Sequence, residues 1–305
     1  MKLTVKQEHI YEGLKSIGEE ISSFYLDAIE LINQKNIVSQ SYLLAHVARE
    51  IDGGLRDILS PDKAKKELQK NPALKDRGQV ASILVALDLE LDNPFAIKYA
   101  SVSSKFAKYA HRRGATKKPR TLSEVIELWE EYENILLKLV GSFINQLNRI
   151  ERITKFKKPT KQILEALKNM FANKQIERHF YINLKSENWL EPMYNKGFFS
   201  PKLIKDEELW NQAEYLIFIA KNIKRKYFKE SNARFLVKII EEINFHSENI
   251  QKLKNYRIWY FLLDILTELP KQYINKKIIN SIPNYLNTQH ENTLESLAIF
   301  KLIHS

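Results

Sequence analysis

The chain has 305 residues, 44% of them hydrophobic and 11% aromatic, which is enough to bury real cores and too long for one typical domain. Forty-eight Lys and Arg against 37 Asp and Glu leave a formal charge of +11, a field that attracts nucleic acid, anionic lipid or an acidic protein without choosing among them. The absence of cysteine excludes disulfides, thiolate zinc sites and cysteine nucleophiles together, and only eight glycines and nine prolines make an all-α fold the expectation.

The first residues, MKLTVKQEHIYEGL, lack the apolar stretch of a signal peptide. The longest apolar run, Ile258 to Leu266, is interrupted by Asp264 and too short to span a bilayer, so a cytoplasmic protein with no membrane partner is expected. From Glu8 to Asn33 apolar residues recur at three- and four-residue steps, which predicts one long amphipathic helix. A second helix follows from Ser39, a plausible N-cap, to Ser60 and Pro61, where proline stops it. Its adjacent Gly53 and Gly54 mark either a close approach of a neighbouring helix or a kink.

A shorter helix is predicted from Gly78 to Leu89, and another begins at Pro94 and ends at Gly114. Thr121 or Ser123 then caps a long helix whose apolar face carries Val125, Leu128, Trp129, Tyr132, Ile135, Leu136 and Leu139. Together these long helices predict an N-terminal antiparallel helical bundle. The basic segment Lys155 to Thr160, KFKKPT, reads as a linker, which places the domains at 1–154 and 155–305.

Beyond it, short helices alternate with Pro, Asn and Ser breaks. WNQAEYLIFIAKNI from Trp210 is echoed by NYRIWYFLLDILTEL from Asn255, and FLVKIIEEI from Phe235 by IINSIPNYL from Ile278. The offset of about 44 residues, with Pro270 and Pro283, resembles HEAT repeats, which implies a C-terminal α-solenoid acting as a scaffold. The last segment, HENTLESLAIFKLIHS, reads as the first helix of a further pair, to be completed by a partner or by more chain.

Chemistry is concentrated in one stretch. From Lys98 to Arg120 there is no acidic residue, and Lys105, Lys108, Arg112, Arg113, Lys117, Lys118 and Arg120 are the expected phosphate contacts of a nucleic acid or the contacts of an acidic protein partner. Cations at a helix C-terminus are also favoured by the macrodipole alone. A second run, Lys221, Lys224, Arg225, Lys226 and Lys229, could line the groove of the solenoid, with Tyr227 and Phe228 either stacking on bases or packing in the core. Trp189, Trp210 and Trp259 read as core anchors.

His46 and Arg49 lie three apart on the second helix, hence on one face, and His111 adjoins Arg112. Arg49, Glu50, Asp52, Arg56 and Asp57 equally form helix ion pairs. No HExxH, Walker, GxSxG or GxGxxG motif occurs, so no metal or cofactor is expected.

The two early long helices, with polar residues on otherwise apolar faces over Glu8 to Ile153, resemble HEPN domains. These are all-α bundles of prokaryotic toxins and antiviral proteins. The resemblance implies a metal-independent RNase site of an Arg, a polar residue and a His four to six positions later, usually shared by two protomers, and hence a homodimer through the bundle. This chain departs from that pattern, because no Arg has a His four to six residues downstream. Lys105 precedes His111 by six but offers a point charge in place of a guanidinium fork.

The leading expectation is therefore a non-enzymatic scaffold or recognition module that binds nucleic acid or a partner, in antiviral defence by resemblance. The alternatives are an RNase using His111 or His46 with Arg49 or Arg112, and a solenoid devoted to protein interaction.

Overall fold

The computed structural model describes residues 2–34, 37–59, 78–90, 94–111, 121–201, 210–223, 229–250 and 256–278. The fold is all-α. In chain order the helices are α1 (Val5–Ile17), α2 (Glu19–Asn33), α3 (Gln40–Leu59), α4 (Gly78–Ala86), α5 (Pro94–Ala110), α6 (Leu122–Thr154), α7 (Lys161–Met170), α8 (Lys174–Asn183), α9 (Leu190–Asn195), α10 (Ala213–Asn222), α11 (Glu230–Ile250) and α12 (Tyr256–Glu268). Among the described residues no helix is long and apolar enough to cross a membrane. The chain divides into two units, Met1–Ile150 with Met170–Ile176, and Glu151–Asn169 with Glu177–Ser305.

Local chemistry explains the helix starts. Thr4 caps α1 reciprocally: its hydroxyl accepts from the Gln7 N–H at 3.3 Å, and the Gln7 side chain accepts from the Thr4 N–H at 3.0 Å. Thr121, one of the two caps expected for α6, makes the same exchange with Glu124 at 3.4 and 2.9 Å. Asn173 caps α8 by accepting from the N–H groups of Gln175 and Ile176.

The continuous helix expected from Glu8 to Asn33 is instead two helices. Gly18 is extended (φ −171°, ψ 132°) and separates them, with its N–H still donating to the Leu14 carbonyl at 2.8 Å. Glycine is the poorest helix former after proline, and Glu19 and Glu20 favour a fresh N-terminus just beyond it. The break lets the side chain of Ile58 come within 2.6 Å of where a Gly18 Cβ would lie. Helix α4 stops at Ala86, short of the expected Leu89, because Asp88 turns with φ 58° and the Leu89 N–H returns to the Leu84 carbonyl at 2.8 Å.

In the first unit α2 packs on α1 and α3, and α3 on α4 and α5. Helix α6 supplies the spine. An aromatic series crosses it, Tyr25 to Trp129 at 5.8 Å, Trp129 to Tyr132 at 5.7 Å and Tyr132 to Phe106 at 5.3 Å between ring centroids, so that α2, α6 and α5 share one buried seam. Glu133, 6% exposed, accepts from the Tyr25 hydroxyl at 2.8 Å and the Gln7 amide at 3.2 Å and pairs with Lys6 at 3.3 Å, which ties α1 and α2 to the same helix. Burial, and then the Glu133 charge, hold the Tyr25 hydroxyl protonated far above its ordinary range.

Two glycines set helix spacing. A Cβ on Gly54 would lie 2.7 Å from Cγ1 of Ile21, so of the two readings of the glycine pair, close approach holds at Gly54. A Cβ on Gly13 would lie 1.7 Å from Cγ1 and 2.9 Å from Cβ of Val140, leaving α1 and α6 no room for a methyl group.

The second unit is centred on Phe180, Tyr181, Trp189, Phe199 and Tyr215, all buried, with Phe199 and Tyr215 stacked at 6.3 Å. Glu177, 4% exposed, accepts from the side-chain amides of Asn211 and Gln212, each at 3.1 Å. Helix α10 packs on α11 and α12, and α11 on α9. Trp189 and Trp210 are buried, as expected of core anchors. The segment read as a linker is fastened within this unit: the Trp189 indole donates to the Phe156 carbonyl and the Ser186 hydroxyl to the Lys157 carbonyl, both at 2.8 Å. The echo expected after Ile278, the closing segment, and the stop signals Pro61 and Gly114 lie outside the described residues.

Gly13→Ala is expected to destabilise the protein by about 1–3 kcal/mol, since the inserted methyl overpacks the α1–α6 contact. Chemical denaturation checks this. Adding Val140→Ala should cost less in the Gly13→Ala background than in wild type, and strict additivity would contradict the close approach.

Candidate functional site

A cleft of about 590 Å³ opens in the first unit, walled by α2, α3 and the end of α5. Helix α3 contributes most of it. Arg49, Asp52, Gly53 and Arg56 fall at three- and four-residue steps, which puts them on one face of that helix. Phe24 and Ile21 come from α2, and Ser103, Ala107 and His111 from α5 and the residue just past its end. Gly54 is part of the construction, because the approach of Ile21 that it permits sets the distance between two walls.

Asp52 is the organising group. One of its carboxylate oxygens, Oδ1, accepts from the Tyr132 hydroxyl at 2.6 Å and the Tyr99 hydroxyl at 3.0 Å, and Ser103 donates to the carboxylate as well. Tyr99 and Tyr132 are fully buried beneath it. Burial pushes the Asp52 carboxyl above the usual aspartate range, while the three hydroxyl donors and the Arg56 charge pull the other way and temper the rise. Burial, followed by the Asp52 charge, also raises both tyrosine hydroxyls well above their ordinary value. They act as fixed donors throughout the physiological range.

The guanidinium groups differ in their freedom. Arg56 Nε lies 3.6 Å from an Asp57 oxygen, an exposed pair of small energetic value. Arg49 forms no ion pair with any described residue and is partly exposed in the cleft. Glu20 and Glu50 line the cleft from exposed positions where water screens them, so the cleft carries both signs of charge. Among the described residues no three of His, Asp and Glu are grouped so as to hold a metal.

Of the candidates named from sequence, Arg49 and His111 are brought to the same cleft although they lie 62 positions apart. His46 is not part of it. Its ring meets Tyr42 edge-on at 4.4 Å, and its buried Nε2 has no hydrogen-bond partner among the described residues. The shared helical face expected for His46 and Arg49 therefore does not make them one site. Lys105 and Lys108 are exposed on α5, and Lys98 pairs with Glu131 at 3.6 Å. In the second basic run Lys229 donates to the Asn188 side chain at 2.9 Å. Arg112, Arg113, Lys117, Lys118, Arg120, Lys224, Arg225 and Lys226, with Tyr227 and Phe228, lie outside the described residues.

Sequence reasoning missed Tyr99 and Ser103. The signal was present, because both fall on one face of α5, four apart, as Asp52 and Arg56 do on α3. No protein-family model, curated protein or solved structure gives a significant match to this chain.

The raised Asp52 carboxyl has a consequence for stability. The folded state holds this proton to higher pH than the unfolded chain does, so its contribution is fully present below about pH 4 and is lost as pH rises through the folded value. Asp52→Asn should remove that loss: the melting temperature of wild type relative to the variant is expected to fall as pH rises from about 4. A difference that does not change with pH would contradict the assignment.

Proposed function

We propose that the chain is a cytoplasmic nucleic-acid-binding module in which the cleft of the first unit receives backbone phosphates. The observation that carries this reading is the convergence of Arg49, Arg56 and His111 on one cleft, at the end of a helix that exposes Lys105 and Lys108. His111 is also where the cation-rich part of the acid-free stretch begins, running on to Arg120. A backbone entering here would exchange condensed counterions for fixed cations, which makes affinity steeply salt-dependent. Within the proposal the first unit is a HEPN-like bundle and the second a HEAT-like stack, an arrangement suited to recognition and scaffolding in antiviral defence.

A second reading rests on the same pair. In a metal-independent RNase of the HEPN kind, His111 would take the proton of the 2′-hydroxyl as its oxygen attacks phosphorus. The bond from phosphorus to the 5′-oxygen breaks, that oxygen takes a proton from water, and Arg49 neutralises the charge gathering on the phosphate. The bundle would then pair with a second copy to complete the site. This reading is favoured over its His46 variant because His46 stands outside the cleft.

The test is a titration of the full chain with labelled single-stranded RNA, duplex RNA and DNA, in chelator at two salt concentrations, read for anisotropy and product length. Combining Arg49→Gln with Lys105→Glu and Lys108→Glu is expected to weaken binding at least about 10-fold at physiological salt and to flatten the salt slope. Affinity unchanged by the triple substitution would refute the cleft as the phosphate site. Cleavage leaving a 2′,3′-cyclic phosphate, abolished by His111→Ala and retained by His46→Ala, would establish the second reading. Absence of both signals would assign the charge to an acidic protein partner.

A further inference from the structure

The second unit carries a site of its own, independent of the cleft. A hollow of about 500 Å³ is bounded by Lys155, Phe156, Lys157 and the end of α6 on one side and by Asn183, Lys185 and Ser186 on the other. Lys155, Lys157 and Lys185 line the hollow together with one aromatic residue. Phe156 is 49% exposed, in a protein whose other large aromatics near this unit's centre are buried. The backbone beneath this exposed ring is fixed. The Phe156 carbonyl accepts from the fully buried Trp189 indole at 2.8 Å, the Phe156 N–H donates to the Ile153 carbonyl at 3.1 Å, and the next carbonyl accepts from Ser186 at 2.8 Å. The ring is thus presented outward from a rigid support.

The lysines remain available. Lys155 and Lys157 form no ion pair with any described residue, and Lys185 lies over the Phe218 ring at 5.4 Å, a contact that leaves its charge unneutralised. Glu151, at the edge of the hollow, is engaged by His179 at 3.2 Å.

The geometry points to a binding site for single-stranded nucleic acid, with a base stacked on Phe156 and flanking phosphates on Lys155, Lys157 and Lys185. A stacking platform accompanied by long, flexible cations suits an unpaired strand, whose bases are free to leave their own stack. A duplex keeps its bases inside and would use the lysines alone. An acidic protein would use the lysines and have no need of a bare ring.

The experiment titrates the full chain with a fluorescein-labelled oligouridylate, with a matched RNA duplex, and with polyglutamate as competitor. Phe156→Ala is expected to weaken oligouridylate binding about 10-fold while leaving duplex affinity and the salt slope unchanged, and Phe156→Trp to restore it. Lys155→Glu with Lys157→Glu is expected to lower the magnitude of the salt slope by about 1.4, two phosphate contacts' worth for a single strand. All of these side chains are exposed, and circular dichroism verifies that the variants stay folded. Unchanged affinity in Phe156→Ala, or oligouridylate that does not bind at all, overturns the site. Equal competition by polyglutamate also overturns it, in favour of an acidic partner. Loss of binding with the Arg49, Lys105 and Lys108 substitutions but not with Phe156→Ala overturns this site alone and leaves the cleft standing.

Discussion

The packing of α3, α5 and α6 around the cleft turns on a single carboxylate. Asp52 receives hydroxyl donors from Tyr99 and Ser103 on α5 and from Tyr132 on α6, so one side chain of α3 fixes the relative positions of three helices. Taking a carboxylate partly out of water is costly unless its lone pairs are met, and here several donors converge on it. The two tyrosines are in turn locked by packing, Tyr132 against Phe106 and Trp129. Deleting the carboxylate would leave two buried hydroxyls without acceptors, and deleting one tyrosine would leave the charge under-compensated, so the node cannot be dismantled piecemeal without loss. Glu133, the residue after Tyr132 and about a quarter of a helical turn round α6 from it, repeats the device and draws α1 and α2 to the same spine.

This arrangement explains why the cleft lies where it does. The bonded side of Asp52 faces inward to the tyrosines, and its helix continues the same face outward with Arg49 and Arg56 toward the exposed end of α5. Arg49 and Arg56 thus stand on a helix whose position is already fixed, and they share the cleft with the carboxylates of Glu20, Glu50 and Asp57. The second unit achieves a comparable result by other means, with Trp189 and Ser186 bonding the backbone of a basic segment from beneath. In both units polar contacts fix the elements that carry charged groups at the surface.

Much of the helical framework was legible in the sequence, since apolar periodicity and capping residues are local signals. Thr121, one of the two caps the pattern offered, and the proline at the start of α5 placed their helix starts well. The errors arose where a distant residue decided the local outcome. Gly18 interrupts an otherwise continuous pattern to admit Ile58, forty positions later, and Gly13 makes room for Val140; neither partner announces itself in the flanking sequence. The cleft was half legible. Arg49 and His111 stood out by residue type, but their meeting depends on the α3–α5 packing, and the Asp52 node joins residues 52, 99, 103 and 132, which no spacing rule connects. His46 shows the limit of a spacing argument: three residues from Arg49 on the same helix, it meets Tyr42 edge-on and does not line the cleft.

Photocrosslinking offers the most direct measurement of the central claim that the cleft is a nucleic-acid site. The full chain would be irradiated with 4-thiouridine-labelled RNA and the attached peptides identified by mass spectrometry. Crosslinks on the α3 face around Arg49 and at the end of α5 around His111 are the predicted result. Efficient crosslinking confined to other peptides, with those two segments unlabelled, would contradict it.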